Sequence, residues 1–215
     1  MSGESLAREE ICRIGASMFA RGLTHGSTGN VSARLEDGWL LTPTGSSLGT
    51  LDPARLSKLD WSGKLVSGDK PSKENFLHLA MYQERARANV PAGAVIHLHS
   101  THSVAVSVLA DIDPDDVLPP ITAYYVMRVG SLPLVPYFAP GDLKLADAVR
   151  RFAGRHHALL LANHGPLVAG ASLGAAADAT EELEETAKLF LLLQGKRIRM
   201  LDAGQVAALR ASHPT

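Results

Sequence analysis

The tripeptide His97-Leu98-His99 is the part of this sequence best suited to chemistry. It follows an apolar run, Ala94-Val95-Ile96, that reads as a strand, and alternate side chains on a strand share a face. Two imidazoles spaced this way stand roughly 6–7 Å apart at Cβ, a gap that two bonds of about 2 Å to one zinc ion can close. A catalytic zinc takes three protein ligands and keeps a further position for water or substrate. His164 is the best candidate for the third ligand, because it ends an apolar strand and is followed by Gly165-Pro166, which fix a sharp turn. His102, His78 and His25 compete with it, whereas His156 and His157 read as exposed surface residues. Histidine pairs on half-exposed strands also occur without a metal, so the tripeptide alone leaves that alternative open.

Pro71-Ser72-Lys73-Glu74 opens a helix in which Ser72 suits the N-cap, and free N–H groups in a first turn attract anions. Glu74 there is either a surface carboxylate that favours the helix dipole or a catalytic acid–base group. Lys73, taken alone, reads as a solvated lysine. Ser27-Thr28-Gly29-Asn30, Thr42-Pro43-Thr44-Gly45 and Ser72 present N–H groups and hydroxyls of the kind that cradle a phosphate, although each is also a plain turn.

The elements that must position these residues follow from periodicity. Leu6, Ile11, Ile14, Met18 and Phe19 recur at helical spacing, so residues 5–21 read as a helix that Gly22 ends. Residues 31–35 and 39–42 read as strands about a Glu36-Asp37-Gly38 turn, and 59–61 and 64–66 flank a Ser62-Gly63 hairpin. The spacing predicts a helix from Ser72 to about Asn89, a strand over 94–99, a returning helix over 101–109 and a loop over 111–120. Beyond it come a strand at 134–137, a helix at 142–152, strands at 158–162 and 167–169, and helices at 175–194 and 202–210. Interspersed strands and helices, with some hairpins, predict an α/β fold of three α/β/α layers around a central mixed, largely antiparallel sheet, forming one domain over residues 1–215.

Bulk properties narrow the class. A chain of 215 residues with 46% hydrophobic and 20% charged residues is long enough for a sizeable core. Its net charge of −1 gives no footprint for nucleic acid or an anionic membrane, so any anion site must be local. The single cysteine, Cys12, excludes an internal disulfide framework and reads as a structural thiol. The beginning of the chain lacks a signal-peptide pattern and no apolar stretch approaches a membrane span, so a cytoplasmic protein is expected.

Taken in order, Thr28-Gly29-Asn30-Val31-Ser32, Leu41-Thr42-Pro43-Thr44-Gly45, Pro71-Ser72-Lys73-Glu74, His97-Leu98-His99 and Asn163-His164-Gly165 resemble the class II aldolase/adducin family over essentially residues 5–195. Within it the resemblance extends to the branch that decarboxylates 3-oxo-tetronate 4-phosphates. Lys70-Pro71-Ser72-Lys73-Glu74, His99-Ser100-Thr101-His102-Ser103, Tyr124-Tyr125-Val126-Met127-Arg128-Val129-Gly130 and Pro136-Tyr137-Phe138-Ala139-Pro140-Gly141-Asp142 carry that part.

The resemblance implies that His97, His99 and His164 hold one Zn2+ per subunit, with Mn2+ or Co2+ as other occupants. Glu74 would serve as general acid/base and as a ligand when substrate is absent. It implies a phosphate cradle from Thr28, Gly29, Asn30, Thr44, Gly45 and Ser72. Lys73 stands where the sugar aldolases usually carry a small polar residue, and a cation there suits a substrate bearing both phosphate and carboxylate. Tyr124, Tyr125 and Arg128 are candidates for an outer ring that selects the leaving fragment, with plain packing as the other reading. The implied reaction gives dihydroxyacetone phosphate and CO2 through a metal-bound enediolate. An aldolase or epimerase acting on a sugar phosphate such as fuculose or ribulose phosphate, and a non-enzymatic adducin-like module, are the alternatives. The resemblance also implies a fourfold homotetramer.

Overall fold

The computed structural model describes residues 3–139 and 141–212, so Pro140 of the segment quoted above lies outside the described residues. Helix α1 (Gly3–Ala20) leads through the loop of Gly29 into β1 (Asn30–Arg34), β2 (Trp39–Leu41), β3 (Ser57–Leu59) and β4 (Leu65–Ser67), with two short 3-10 turns before β3. Helix α2 (Asn75–Arg87) and β5 (Ala94–His97) follow, then α3 (Thr101–Ser107), α4 (Ala123–Arg128), β6 (Leu134–Val135) and α5 (Lys144–Ala153). β7 (Ala158–Leu161), β8 (Gly165–Gly170), α6 (Leu173–Leu192) and α7 (Ala203–Ser212) complete the order.

The eight strands form one sheet in the order β4-β3-β2-β1-β5-β8-β7-β6. Every neighbouring pair is antiparallel except β6–β7, which gives the expected mixed, largely antiparallel sheet. Strand alternation divides the core. Val95, Leu159, Leu161, Leu167 and Ala169 face α2 and α5, whereas Ala94, Ile96, Leu160 and Val168 face the layer of α1, α3, α4 and α6. Fully burying each Leu, Ile or Val contributes roughly 1.5–3 kcal/mol. The central strands carry these residues on both faces, as a three-layer arrangement requires.

Several boundaries differ from the periodic reading. The strand expected over 94–99 leaves the ladder after His97: Leu98 N–H still donates to the Pro166 carbonyl, but proline has no N–H to return the second bond. Helix α2 starts at Asn75 rather than after Ser72, with Glu74 at its cap position. Ser72 instead shapes the turn before it, its hydroxyl accepting from Glu74 N–H at 3.3 Å and its carbonyl from Asn75 N–H at 3.2 Å. Helix α4 has no counterpart in the periodic reading, being too short to set a period, yet Thr122 caps it by accepting from Tyr125 N–H. Among the described residues no helix is long and apolar enough to cross a membrane.

Candidate metal centre

Three imidazoles and one carboxylate converge at the end of β5. His97 closes the strand on the face toward α2, and His99 follows two residues on. His164 enters from the three-residue turn between β7 and β8. That turn is backbone-constrained: Asn163 sits at φ +56° and Gly165 at φ +152°. A Cβ on Gly165 would lie 2.3 Å from the Leu98 carbonyl oxygen, so only glycine lets the turn press against the His99 segment.

The donor atoms lie at coordination distances. His97 Nε2 and His99 Nε2 are 3.2 Å apart, Glu74 Oε1 is 3.1 Å from His164 Nε2, and Glu74 Oε2 is 3.5 Å from His97 Nε2. Four ligands bonded at about 2.0–2.1 Å to one zinc stand about 3.3 Å from one another at the corners of a tetrahedron. The ligand atoms of Glu74, His97, His99 and His164 all lie within 4.8 Å of one another. The ring centroids are 4.8–5.0 Å apart and steeply tilted, which turns nitrogens rather than ring faces inward. His97 Nδ1 donates to the Pro166 carbonyl at 2.8 Å, so the neutral ring points the lone pair of Nε2 at the centre. These residues fit a divalent transition ion.

Electrostatics agree with that fit. Burial, then the neighbouring His97 and His164 rings, push His99 down to about 4, and burial likewise lowers His97. Both rings are thus held in the neutral form that ligates. Burial acts to raise the Glu74 carboxyl, but the neighbouring His97 ring and hydrogen bonds from His164 and Asn30 outweigh it and hold Glu74 well below the usual carboxylate range.

Behind Glu74 runs a buried chain of hydrogen bonds that the motifs did not reveal. Glu74, His78 and Tyr82 recur every fourth residue, so they line one stripe of α2 over Asn30 and Ser32 of β1. Asn30 Nδ2 donates to Glu74 Oε2 at 2.8 Å and lies 3.3 Å from Ser72 Oγ. Asn30 Oδ1 must therefore accept, and the Nε2–H of His78 bonds to it. His78 Nδ1 in turn accepts from Ser32 Oγ at 2.7 Å, and Ser32 Oγ accepts from the Tyr82 hydroxyl at 2.8 Å. Every donor points toward Glu74. Trp39 stacks on His78 at 6.3 Å and 12°, and burial lowers His78 to about 3, which keeps its ring neutral.

The remaining candidates separate. Thr28 holds the loop before β1, donating from Oγ1 to the His25 carbonyl at 2.6 Å, and Gly29 at φ +78° lets that loop approach His97 O, 3.0 Å from where a Cβ would stand. Thr44 and Gly45 line a cavity with Lys70 and Arg55, and backbone bonds Thr44 N–H to Lys70 O and Ser72 N–H to Thr42 O tie that turn to Ser72. Lys73 is exposed, while Lys70 lines this cavity.

Tyr125 is buried and bonds Asp116 at 3.5 Å, Tyr124 is 60% exposed, and Arg128 pairs with Asp178 at 2.7 Å. No hydrogen bond or ring contact among the described residues joins these three to the cluster. His102 is taken by Glu184, whose carboxylate also accepts from Ser103 N–H and Oγ and thus anchors α3 directly after His99. His25 is exposed. His156 and His157 are half-buried rather than exposed, bonded to Ser131 and to the Arg128 carbonyl.

An α/β chain that brings three histidines and a glutamate from the cap of α2, the end of β5 with the residues after it, and the β7–β8 turn to one point belongs to the family described as Class II Aldolase and Adducin N-terminal domain, which matches residues 9–191. It is 51% identical over 210 residues to a 3-oxo-tetronate 4-phosphate decarboxylase of Pectobacterium atrosepticum, covering 97% of this chain and 94% of the relative. It is 53% identical over 209 residues to the protein of that name from Escherichia coli, covering 97% of each. The crystal structure of Escherichia coli YgbL superposes with a TM-score of 0.93 at 50% identity, covering 97% of this chain and 100% of that one. The chain is a lyase.

Proposed function

We propose that this protein decarboxylates a 3-oxo-tetronate 4-phosphate to dihydroxyacetone phosphate, with His97, His99 and His164 holding a zinc ion. The observation that carries the reading is the donor set itself, three imidazoles and Glu74 at coordination distances, in a chain about half identical to decarboxylases of that name along almost its whole length. A divalent ion supplies a Lewis acid for the ketone oxygen, drawing off the electrons that the breaking bond to CO2 leaves behind.

The chain's own groups do the rest. Ionised Glu74 accepts the proton of the hydroxyl between ketone and carboxylate; once CO2 has left, it returns that proton to the adjacent carbon, and solvent reprotonates the oxygen. Asn30 holds Glu74 in place through its amide N–H. Asn30, Ser72 and the Thr28-Gly29 and Thr44-Gly45 turns bind the phosphate, with Lys70 or Lys73 supplying the cation. Exposed Tyr124 is assigned an outer role through a neighbouring subunit, in the fourfold tetramer that the family resemblance implies. Exposed Tyr124 and Tyr137 favour such burial. One domain spanning residues 1–215 in the cytoplasm completes the proposal.

The test is incubation of the zinc-loaded protein with each 3-oxo-tetronate 4-phosphate isomer, measuring CO2 and dihydroxyacetone phosphate. Equimolar release of both from one isomer is the expected result. Release of neither, with an aldehyde formed from a sugar phosphate instead, would make the chain an aldolase.

A further inference from the structure

A second cavity of about 560 Å3 opens at the opposite end of the sheet, between the last turn of α2, the end of β8 and the first turns of α6. Arg85 lines it. From Glu74 to Arg85 is eleven residues along α2, about 16 Å at the helical rise, so this cavity is separate from the metal centre.

Arg85 is 9% exposed and its guanidinium has no hydrogen-bond or ion-pair partner among the described residues. Most of the Arg85 side chain is covered, but its nitrogens are not sealed from solvent, and a largely covered guanidinium facing a cavity favours an anion beside it. The nearby acids are taken. Glu84 is engaged by Arg87 and Arg150, and Asp178 pairs with Arg128 at 2.7 Å. The cavity walls therefore carry the charges of Arg85, Arg128 and Asp178, which leave one positive charge unbalanced, and His157 adds a polar ring. The rest of the lining, including Ala175 and Ala179, is largely apolar and small.

We infer that this cavity is a second binding site, taking a small organic oxyanion, a carboxylate or a phosphate on a short apolar body, with Arg85 as its charge partner. The anion forms the paired fork that Arg85 lacks within the chain, and the alanine wall receives the body. Nothing in this inference depends on the reaction at the metal centre.

Phenylphosphonate and benzoate serve as probes, titrated by calorimetry into the full metal-loaded chain and soaked into its crystals. One of them binds with its oxygens on the Arg85 guanidinium, and which one binds distinguishes phosphate from carboxylate. Arg85→Met weakens that binding at least tenfold with turnover unchanged. Ala175→Glu places a carboxylate of the chain itself in the cavity; it abolishes probe binding and raises the melting temperature, and it decides the matter if Arg85→Met does not fold. Equal probe affinity in wild type and variant overturns the inference, as does failure of both probes to bind, or a crystal in which an acidic side chain of a second copy occupies Arg85. Turnover measured on the same preparations keeps these results apart from any failure of the proposed reaction.

Discussion

Asn30 stands directly opposite His97 in the antiparallel ladder between β1 and β5. Opposed residues share a face, so one register places both the amide that anchors Glu74 and an imidazole of the metal centre beneath the start of α2. Slipping β1 by one residue against β5 would turn Asn30 to the α1 face, away from His97 and Glu74.

Asn30→Ala is therefore expected to damage function more than fold. It removes a donor from Glu74 and leaves the buried Nε2–H of His78 without an acceptor, at a cost of about 1–3 kcal/mol. Turnover should fall at least tenfold with zinc content retained. Urea unfolding, elemental analysis and kcat measured together check this, and unchanged kcat would detach Asn30 from Glu74.

Glu74→Gln keeps the shape and hydrogen-bonding reach of the side chain but removes its charge and its proton-transfer capacity. Loss of a positioned acid–base group lowers the rate roughly a hundredfold to ten-thousandfold. The circular dichroism spectrum should not change. Near-normal kcat in this variant would remove Glu74 from the chemistry.

Chelation tests the donor set. EDTA should abolish turnover and lower the melting temperature, since an ion that binds only the folded state adds about 2.7 kcal/mol when free metal is a hundredfold above its Kd. Added Zn2+ should restore both. His99→Ala should lose zinc and turnover together, and full activity in metal-stripped protein would discard the metal centre.

His78 gives a pH dependence whose sign is fixed. Its folded pKa is lowered from 6.5 to about 3 by burial, so between those values the unfolded chain binds the extra proton and folding stability falls as pH falls. The slope from this residue is about 1.4 kcal/mol per pH unit below 6.5. Urea midpoints of metal-free wild type and His78→Gln at pH 7, 6 and 5 check it: the wild type should lose more stability on acidification than the variant. Parallel lines would mean that His78 is not held neutral.

What the sequence made legible was whatever depends on local spacing. His97 and His99 lie two residues apart, and strand geometry carries that spacing onto one face even though the ladder stops between them. The apolar strand read over 158–162 is likewise buried on both faces, with Leu159 and Leu161 toward one helix layer and Leu160 toward the other. The chain of Ser32, His78 and Tyr82 was not legible, because it exists only once α2 docks on β1. The repeat of Glu74, His78 and Tyr82 at every fourth position was the one signal available. Arg128 and Tyr125 stand in the motif as outer-ring candidates with plain packing as the other reading; within the chain they bond Asp178 and Asp116, partners from distant segments or loops with no pattern of their own.

Gly165→Ala should separate backbone precision from ligand chemistry, since it alters none of the four donor residues. The added methyl carbon would stand 2.3 Å from the Leu98 carbonyl oxygen at φ +152°, where side chains are strained even in open space. Relief requires the β7–β8 turn to move away from the segment between His97 and His99, carrying His164 with it. The backbone strain costs about 1–3 kcal/mol. The displacement should weaken zinc affinity by more than that loss of stability accounts for, because ligand atoms set about 3.3 Å apart tolerate little movement. Competition titration with a chromophoric chelator, beside thermal melts of the metal-free protein, measures the two effects separately. Wild-type zinc affinity in a destabilised variant would show that His164 holds its place without this contact.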